Sequence, residues 1–164
     1  MKSKKITRKK NNTSTIVNRK SSIINRQFSI VNSSRAPEPV GPYPHARRVG
    51  NLLFLSGVGP REKGTNKIPG VELDLSGNIL SYDIEAQCRS VFQNVKNILE
   101  DSGSGWDKIV DVTVFLTNMK KDFAAYNRVY AEYFTDNKPC RTTVEINALP
   151  TPIAIELKVI ATIK

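Results

Sequence analysis

Histidine is nearly absent from this sequence and cysteine is scarce: His45 stands alone, with Cys88 and Cys140 far apart along the chain. One imidazole and two distant thiols cannot supply the paired ligand spacings of a zinc site, so no metal is expected. Without a secretory signal, a Cys88–Cys140 disulfide is the disfavoured state in a reducing compartment. Cys88 reads as a small core residue and Cys140 as a loop thiol. No apolar run approaches the roughly 20 residues of a membrane helix, so no membrane partner is expected. A phosphate-binding glycine loop is missing too. The segment GVGPREKG begins like a dinucleotide fingerprint, but Pro60, Gly64 and Pro69 make a loop where that motif needs a helix. Ser56 lacks both a Gly-x-Ser-x-Gly setting and a histidine partner, which excludes a triad nucleophile.

Acidic residues are absent from residues 1–35. Ten of the 25 Lys and Arg residues fall there, which leaves 15 basic against 15 acidic residues in the remainder. The formal charge of +10 therefore belongs to the tail, and the neutral remainder has no electrostatic case for binding nucleic acid. Residues 1–35 are rich in Ser, Thr, Asn, Lys and Arg and carry too little apolar surface to offset the entropy of ordering, so disorder is expected. The composition fits a mitochondrial transit peptide, and RQFS (Arg26–Ser29) fits a matrix-peptidase cleavage pattern. KKITRKK also admits a nuclear address or a nucleic-acid arm. The expected organisation is a basic extension over 1–35 and one domain over 36–164, located in the mitochondrial matrix if the extension is a transit peptide and cytoplasmic otherwise.

From Ala36 the pattern becomes that of a folded domain. Prolines 37, 39, 42 and 44 exclude helix. A strand to Val49, a Gly50-Asn51 turn and a strand over Leu52–Ser56 form a hairpin. Val71–Leu80 reads as a short strand leading into a turn. Asp83 caps a helix to about Ser102, stopped at Gly103, with Ile84, Cys88, Val91, Val95 and Ile98 on one face. Ile109–Thr117 is a strand with Val110, Val112, Val114 and Leu116 on one side. Asp122–Thr135 is a second helix whose Phe123, Tyr126, Tyr130 and Phe134 read as core. The order β-β-β-α-β-α-β-β predicts an α+β domain with both helices on one face of a mixed sheet.

The chain closes on PCRTTVEINALPTPIAIELKVIA, from Pro139 to Ala161. In the first run Arg141, Thr143 and Glu145 share a face; in the second, Ile153, Ile155, Leu157, Val159 and Ala161 form an apolar face opposite Glu156. A lone carboxylate in so apolar a strand is hydrated in a cavity, paired or protonated, because burying it uncompensated is too costly. Two readings stand: Glu156 pairs with Lys158 or Arg141 or faces solvent, or Arg141 is a carboxylate clamp and Glu156 an acid/base in one pocket.

GPYPHARRVGNLLFLSG, DIEAQCRSVFQNVKNIL, VTVFLTNMKKDFAAYNRVYAEYF and the closing segment together resemble the RidA/YjgF imine deaminase family, in register from about Ala36 to the end. PYPHARRVGN, NMKKDFAAYN, RTTV and LPTP look most like its 2-aminomuconate deaminase branch. The resemblance implies a chorismate-mutase-like fold and a homotrimer with a central β-barrel, helices outside and active sites between subunits. It implies cofactor-independent hydrolysis of reactive enamine or imine acids to 2-oxo acids and ammonia. Arg141 aligns with the arginine that grips the substrate carboxylate, a task suited to its planar fork. Glu156 aligns with the acid that activates water, Tyr43 and Ser56 with pocket residues, and Thr143 with a position whose backbone contacts substrate. A dicarboxylate such as 2-aminomuconate asks for a further donor, for which Arg47, Arg48 and Asn118 are the candidates. The alternatives are a non-catalytic trimeric binding or regulatory protein and an RNA-acting protein whose local support is the tail alone.

Overall fold

In the computed structural model, which describes residues 28–163, the apolar alternation of the C-terminal segment places it inside a six-stranded mixed sheet. The strands are β1 (Phe28–Val31), β2 (Ala46–Val49), β3 (Leu52–Leu55), a separate hairpin of β4 (Val71–Leu73) and β5 (Ile79–Tyr82), then β6 (Ile109–Leu116), β7 (Cys140–Glu145) and β8 (Ile155–Thr162). The sheet order is β1-β2-β3-β8-β6-β7. Among the described strands only β6 and β7 run parallel, joined through helix α2 (Met119–Tyr133).

Ile155, Leu157, Val159 and Ala161 of β8 and Val112, Val114 and Leu116 of β6 are buried. They form one core with Cys88, Val91, Phe92, Val95, Ile98 and Leu99 of helix α1 (Ile84–Asp101) and Tyr126 and Val129 of α2. This is the expected α+β arrangement, with both helices on one sheet face. On the other face, register sets Glu156 beside Phe115, Lys158 beside Thr113 and Ile160 beside Phe54, none of them fully buried.

The local chemistry behind α1 is as expected. Asp83 accepts the backbone N–H groups of Glu85 and Ala86 at 2.9 and 3.1 Å, and Gly103, at φ 74°, takes the left-handed turn past the C-terminus. Gly50, at φ 60°, makes the β2–β3 turn. Cys88 is buried and Cys140 exposed, both as free thiols, with Cys140 opening β7 rather than lying in a loop.

Several expectations are corrected. Helix α2 starts at Met119, not Asp122, because the Asn118 side chain caps it by accepting the Lys121 N–H at 3.0 Å. Asp122 is then buried, accepting the Tyr82 hydroxyl at 2.7 Å, while Phe123 is exposed and leaves the core stripe to Tyr126, Tyr130 and Phe134. A register shift between Ile109 and Asp111 turns Val110 outward. Val71–Leu80 is not one strand: β4 and β5 pair with each other about a turn centred on Asp74–Asn78. The last strand starts at Ile155, not Ile153. Residues 28–35 are not disordered. Phe28–Val31 pairs with β2, Ser33 donates to Asp101 at 2.6 Å, and Arg35 bridges Asp101 and Glu100 at 2.7 and 2.9 Å. Edge pairing and this ion cluster replace the apolar burial that the segment lacks. The rest of the expected disorder, and Arg26 and Gln27 of RQFS, lie outside the described residues.

Candidate active site

The cleft that holds Glu156 is built by the segment just after β3. Val58 and Leu157 exchange both backbone hydrogen bonds, N to O at 2.8 and 3.0 Å, so the chain re-pairs with β8 just past Ser56 and Gly57. Gly57 thereby sits against the Glu156 carboxyl: a Cβ there would lie 2.8 Å from the carboxyl carbon. Glycine at 57 is thus a space requirement of the acid. The proline-rich loop brings Tyr43 to the same place. His45 holds that loop, its Nδ1 accepting the Ser33 N–H at 3.1 Å and its Nε2 donating to the Pro37 carbonyl at 2.9 Å. The sole histidine is therefore a buried post with both nitrogens engaged. Ser56 donates its hydroxyl to the Pro44 carbonyl at 2.6 Å and its N–H to the His45 carbonyl at 2.9 Å, which leaves the hydroxyl oxygen able to accept.

Tyr43, Ser56, Gly57, Gly59, Arg61, Glu156 and Lys158, with Val40, Pro150, Thr151 and Ile153, line an open cleft of about 360 Å³. The Glu156 carboxyl is half-buried and makes neither a hydrogen bond nor a salt bridge with any described residue. Burial raises its pKa above the ordinary glutamate value, and the nearby Lys158 charge offsets part of the rise. A carboxyl group with unused oxygens and an affinity for protons, open to a cleft, is equipped to exchange a proton with a bound molecule.

Arg141 is not in this cleft. It registers with Val112 on β6, and Val112 with Val159 on β8. Val159 is three residues from Glu156, an odd step, so Arg141 and Glu156 project from opposite faces of one sheet. Within a single chain that parity holds the two residues apart. Arg141 instead lies over α2, its guanidinium carbon 4.7 Å from the Tyr130 ring centroid, 5.5 Å from Tyr126 and 5.9 Å from Phe123. Its Nη1 donates to Asn127 Oδ1 at 2.8 Å. The aromatic stripe thus acts partly as a shelf for an arginine. Thr143, one pleat along on the same face, has a buried hydroxyl with no partner among the described residues. Both residues belong to β7, an edge strand of the sheet.

The candidates for a second carboxylate fare differently. Asn118 spends its side-chain oxygen on the helix cap. Arg48 donates to the Gly50 carbonyl at 2.8 Å, and Arg47 pairs with Phe54 across β2–β3, away from the cleft. The cations that do line the cleft, Arg61 and Lys158, were not foreseen in that role. Lys158 was legible as the residue two after Glu156 on a strand, but Arg61 lay in a loop with no periodicity to orient it. Asn127 carried no signal at all, because its partner is set by the packing of α2 on β7.

Residues 33–163 match the model of a family described as endoribonuclease L-PSP. A RutC family protein of Pyrococcus horikoshii is 41% identical over 129 residues, covering 79% of this chain and 93% of that protein. The mitochondrial protein MMF1 of Saccharomyces cerevisiae is 37% identical over 126 residues, covering 77% of this chain and 78% of the yeast protein. Among solved structures, Escherichia coli TdcF with bound serine superposes with a TM-score of 0.71 at 31% identity, covering 83% of this chain and 99% of that one.

Proposed function

The chain belongs to the RidA/YjgF/RutC family, and from that premise we propose that it is a hydrolytic deaminase converting reactive enamine or imine acids to 2-oxo acids and ammonia. The observation that carries this reading is Glu156: a half-buried carboxyl, its pKa raised by burial, with no hydrogen bond or salt bridge to any described residue and set in a cleft beside Tyr43 and Ser56. That a relative holds serine supports a site of amino-acid size.

The chemistry asks little of the protein. The imine carbon beside a carboxylate is already electrophilic. Glu156 takes a proton from water as the water oxygen bonds to the carbon of the protonated imine, and the C=N electron pair moves onto nitrogen to give an amine. The same carboxyl then gives that proton to the amine, the C–N bond breaks and ammonia leaves, and as the C=O forms the hydroxyl proton passes back to the Glu156 carboxylate. Tyr43 and the Ser56 hydroxyl orient the substrate. Arg141 grips its carboxylate, and because Arg141 faces away from the Glu156 of its own sheet, we take it to serve a neighbouring copy in a homotrimer. Its place on the edge strand β7 supports that assignment. The finer alternatives are 2-aminomuconate and the short 2-iminopropanoate and 2-iminobutanoate. The transit-peptide reading of the basic N-terminus draws support from the mitochondrial relative.

The experiment is a coupled assay in which an amino-acid oxidase generates 2-iminopropanoate and 2-oxo acid formation is followed with wild type, Glu156→Gln and Arg141→Ala. Acceleration by wild type alone supports the deaminase. Silence from a folded protein with this imine and with fresh 2-aminomuconate would reject it in favour of a binding protein. Cleavage of RNA by protein lacking residues 1–27 would favour the activity in the family model's description.

A further inference from the structure

The cleft around Glu156 carries more positive charge than a short imine acid can use. Arg61 and Lys158 line it with Glu156, and neither makes a salt bridge among the described residues. Lys158 offsets the charge of Glu156, and Arg141 of a neighbouring copy takes the substrate carboxylate. Arg61 is then left over, a cation in a substrate cleft with no anion to meet.

It is also a held cation. Asn94, itself buried, donates to the carbonyls of Gly59 and Arg61 at 2.9 Å each, and Ser90 donates to the Pro60 carbonyl at 2.7 Å. Three successive carbonyls of the loop are thereby tied to α1. One guanidinium nitrogen of Arg61 donates to the Glu38 carbonyl at 2.6 Å, and its other donors have no partner among the described residues. An arginine meant only for solubility needs no such support; a preorganised fork with free donors is what carboxylate recognition uses. The cleft volume of about 360 Å³ falls in the range of roughly 300–1,000 Å³ that accommodates small-molecule ligands, with room beyond a three- or four-carbon acid.

We infer that Arg61, supported by Lys158, forms a second anion subsite, and that the preferred substrate is the imine of a dicarboxylic amino acid. Glu156 works at the imine carbon, the α-carboxylate meets Arg141 of the neighbouring copy, and the distal carboxylate meets Arg61. This rests on the deaminase reading for the reaction, but not for the binding.

The test compares 2-iminoglutarate, generated from L-glutamate by an oxidase, with 2-iminobutanoate, generated the same way from L-2-aminobutyrate, using the full chain. Wild type should favour the dicarboxylate in kcat/KM by about tenfold or more, the size of one hydrogen bond to a charged group. In Arg61→Gln that ratio should fall by about tenfold, and in Lys158→Gln by less. A wild-type ratio near one, or a ratio that Arg61→Gln leaves unchanged, overturns the subsite while the deaminase stands. If neither imine is consumed the deaminase reading fails, and calorimetry with the products decides the subsite alone. Tighter binding of 2-oxoglutarate than of 2-oxobutanoate, weakened in Arg61→Gln and partly kept in Arg61→Lys, upholds it. Equal binding of the two acids ends it.

Discussion

Replacing Gly57 by alanine tests the site through a residue that has no chemistry of its own. The Gly57 backbone has negative or extended φ, so alanine brings no left-handed strain. What it brings is a methyl group 2.8 Å from the Glu156 carboxyl carbon, where carbons settle at about 3.5–4.0 Å. The carboxyl must therefore retreat by roughly 1 Å, and a displacement of that size at a reacting group costs on the order of 100-fold in rate. The colliding atoms end a flexible side chain facing an open cleft, so the stability cost should stay below the ~1–3 kcal/mol of an overpacked core. The expected result is a fall of about 100-fold in kcat/KM in the coupled imine assay, with the urea midpoint nearly unchanged. Glu156→Asp withdraws the carboxyl by one methylene, so Gly57→Ala and Glu156→Asp should be non-additive by ~1 kcal/mol or more in a double-mutant cycle. Full activity in Gly57→Ala would refute the argument that Glu156 acts from this position. Loss of several kcal/mol of stability would make Gly57 a folding residue instead.

Glu156→Gln should abolish turnover yet stabilise the fold. Because folding raises the Glu156 pKa, the folded state bears a cost that is absent below the unfolded glutamate pKa of about 4.3 and complete above the folded one. The gain, held to about 1 kcal/mol or less by partial exposure, should therefore show in urea unfolding at pH 7.5 and vanish at pH 4. Lys158→Met removes the charge that lowers the Glu156 pKa, so the acidic limb of the kcat/KM pH profile should move to higher pH. Asn127→Ala releases the Arg141 fork on one side; KM should rise roughly five- to tenfold with kcat less affected, as for lost uniform binding. Thiol titration with Ellman's reagent at pH 8 should count one fast cysteine, the exposed Cys140, in the native protein and two after denaturation. Burial pushes the Cys88 thiol up to about 12, which keeps it protonated and unreactive.

The local part of this protein was legible before any tertiary contact was known. Alternation in Ile155–Thr162 is a property of consecutive residues, and so is the 3.6-residue stripe of α1 between its Asp83 cap and the turn at Gly103. The isolation of His45 and the confinement of the net charge to the first 35 residues are compositional facts as well; the order of strand and helix patterns set the fold class, the closing segment singled out Arg141 and Glu156, and Tyr43 and Ser56 came from the family resemblance alone. What the tertiary structure decided is parity and proximity. Whether Arg141 and Glu156 share a face depends on the strand between them and its register with each, which no local pattern encodes. The roles of Asn118, Asn127 and Arg61 likewise came from packing: a cap competes with a ligand for one oxygen, a helix lays its asparagine beside an edge strand, and two side chains of α1 fix the loop that presents Arg61 to the cleft. Side-chain patterning is a short-range signal, whereas a site is assembled from residues far apart in the chain whose orientations are fixed only when the sheet closes.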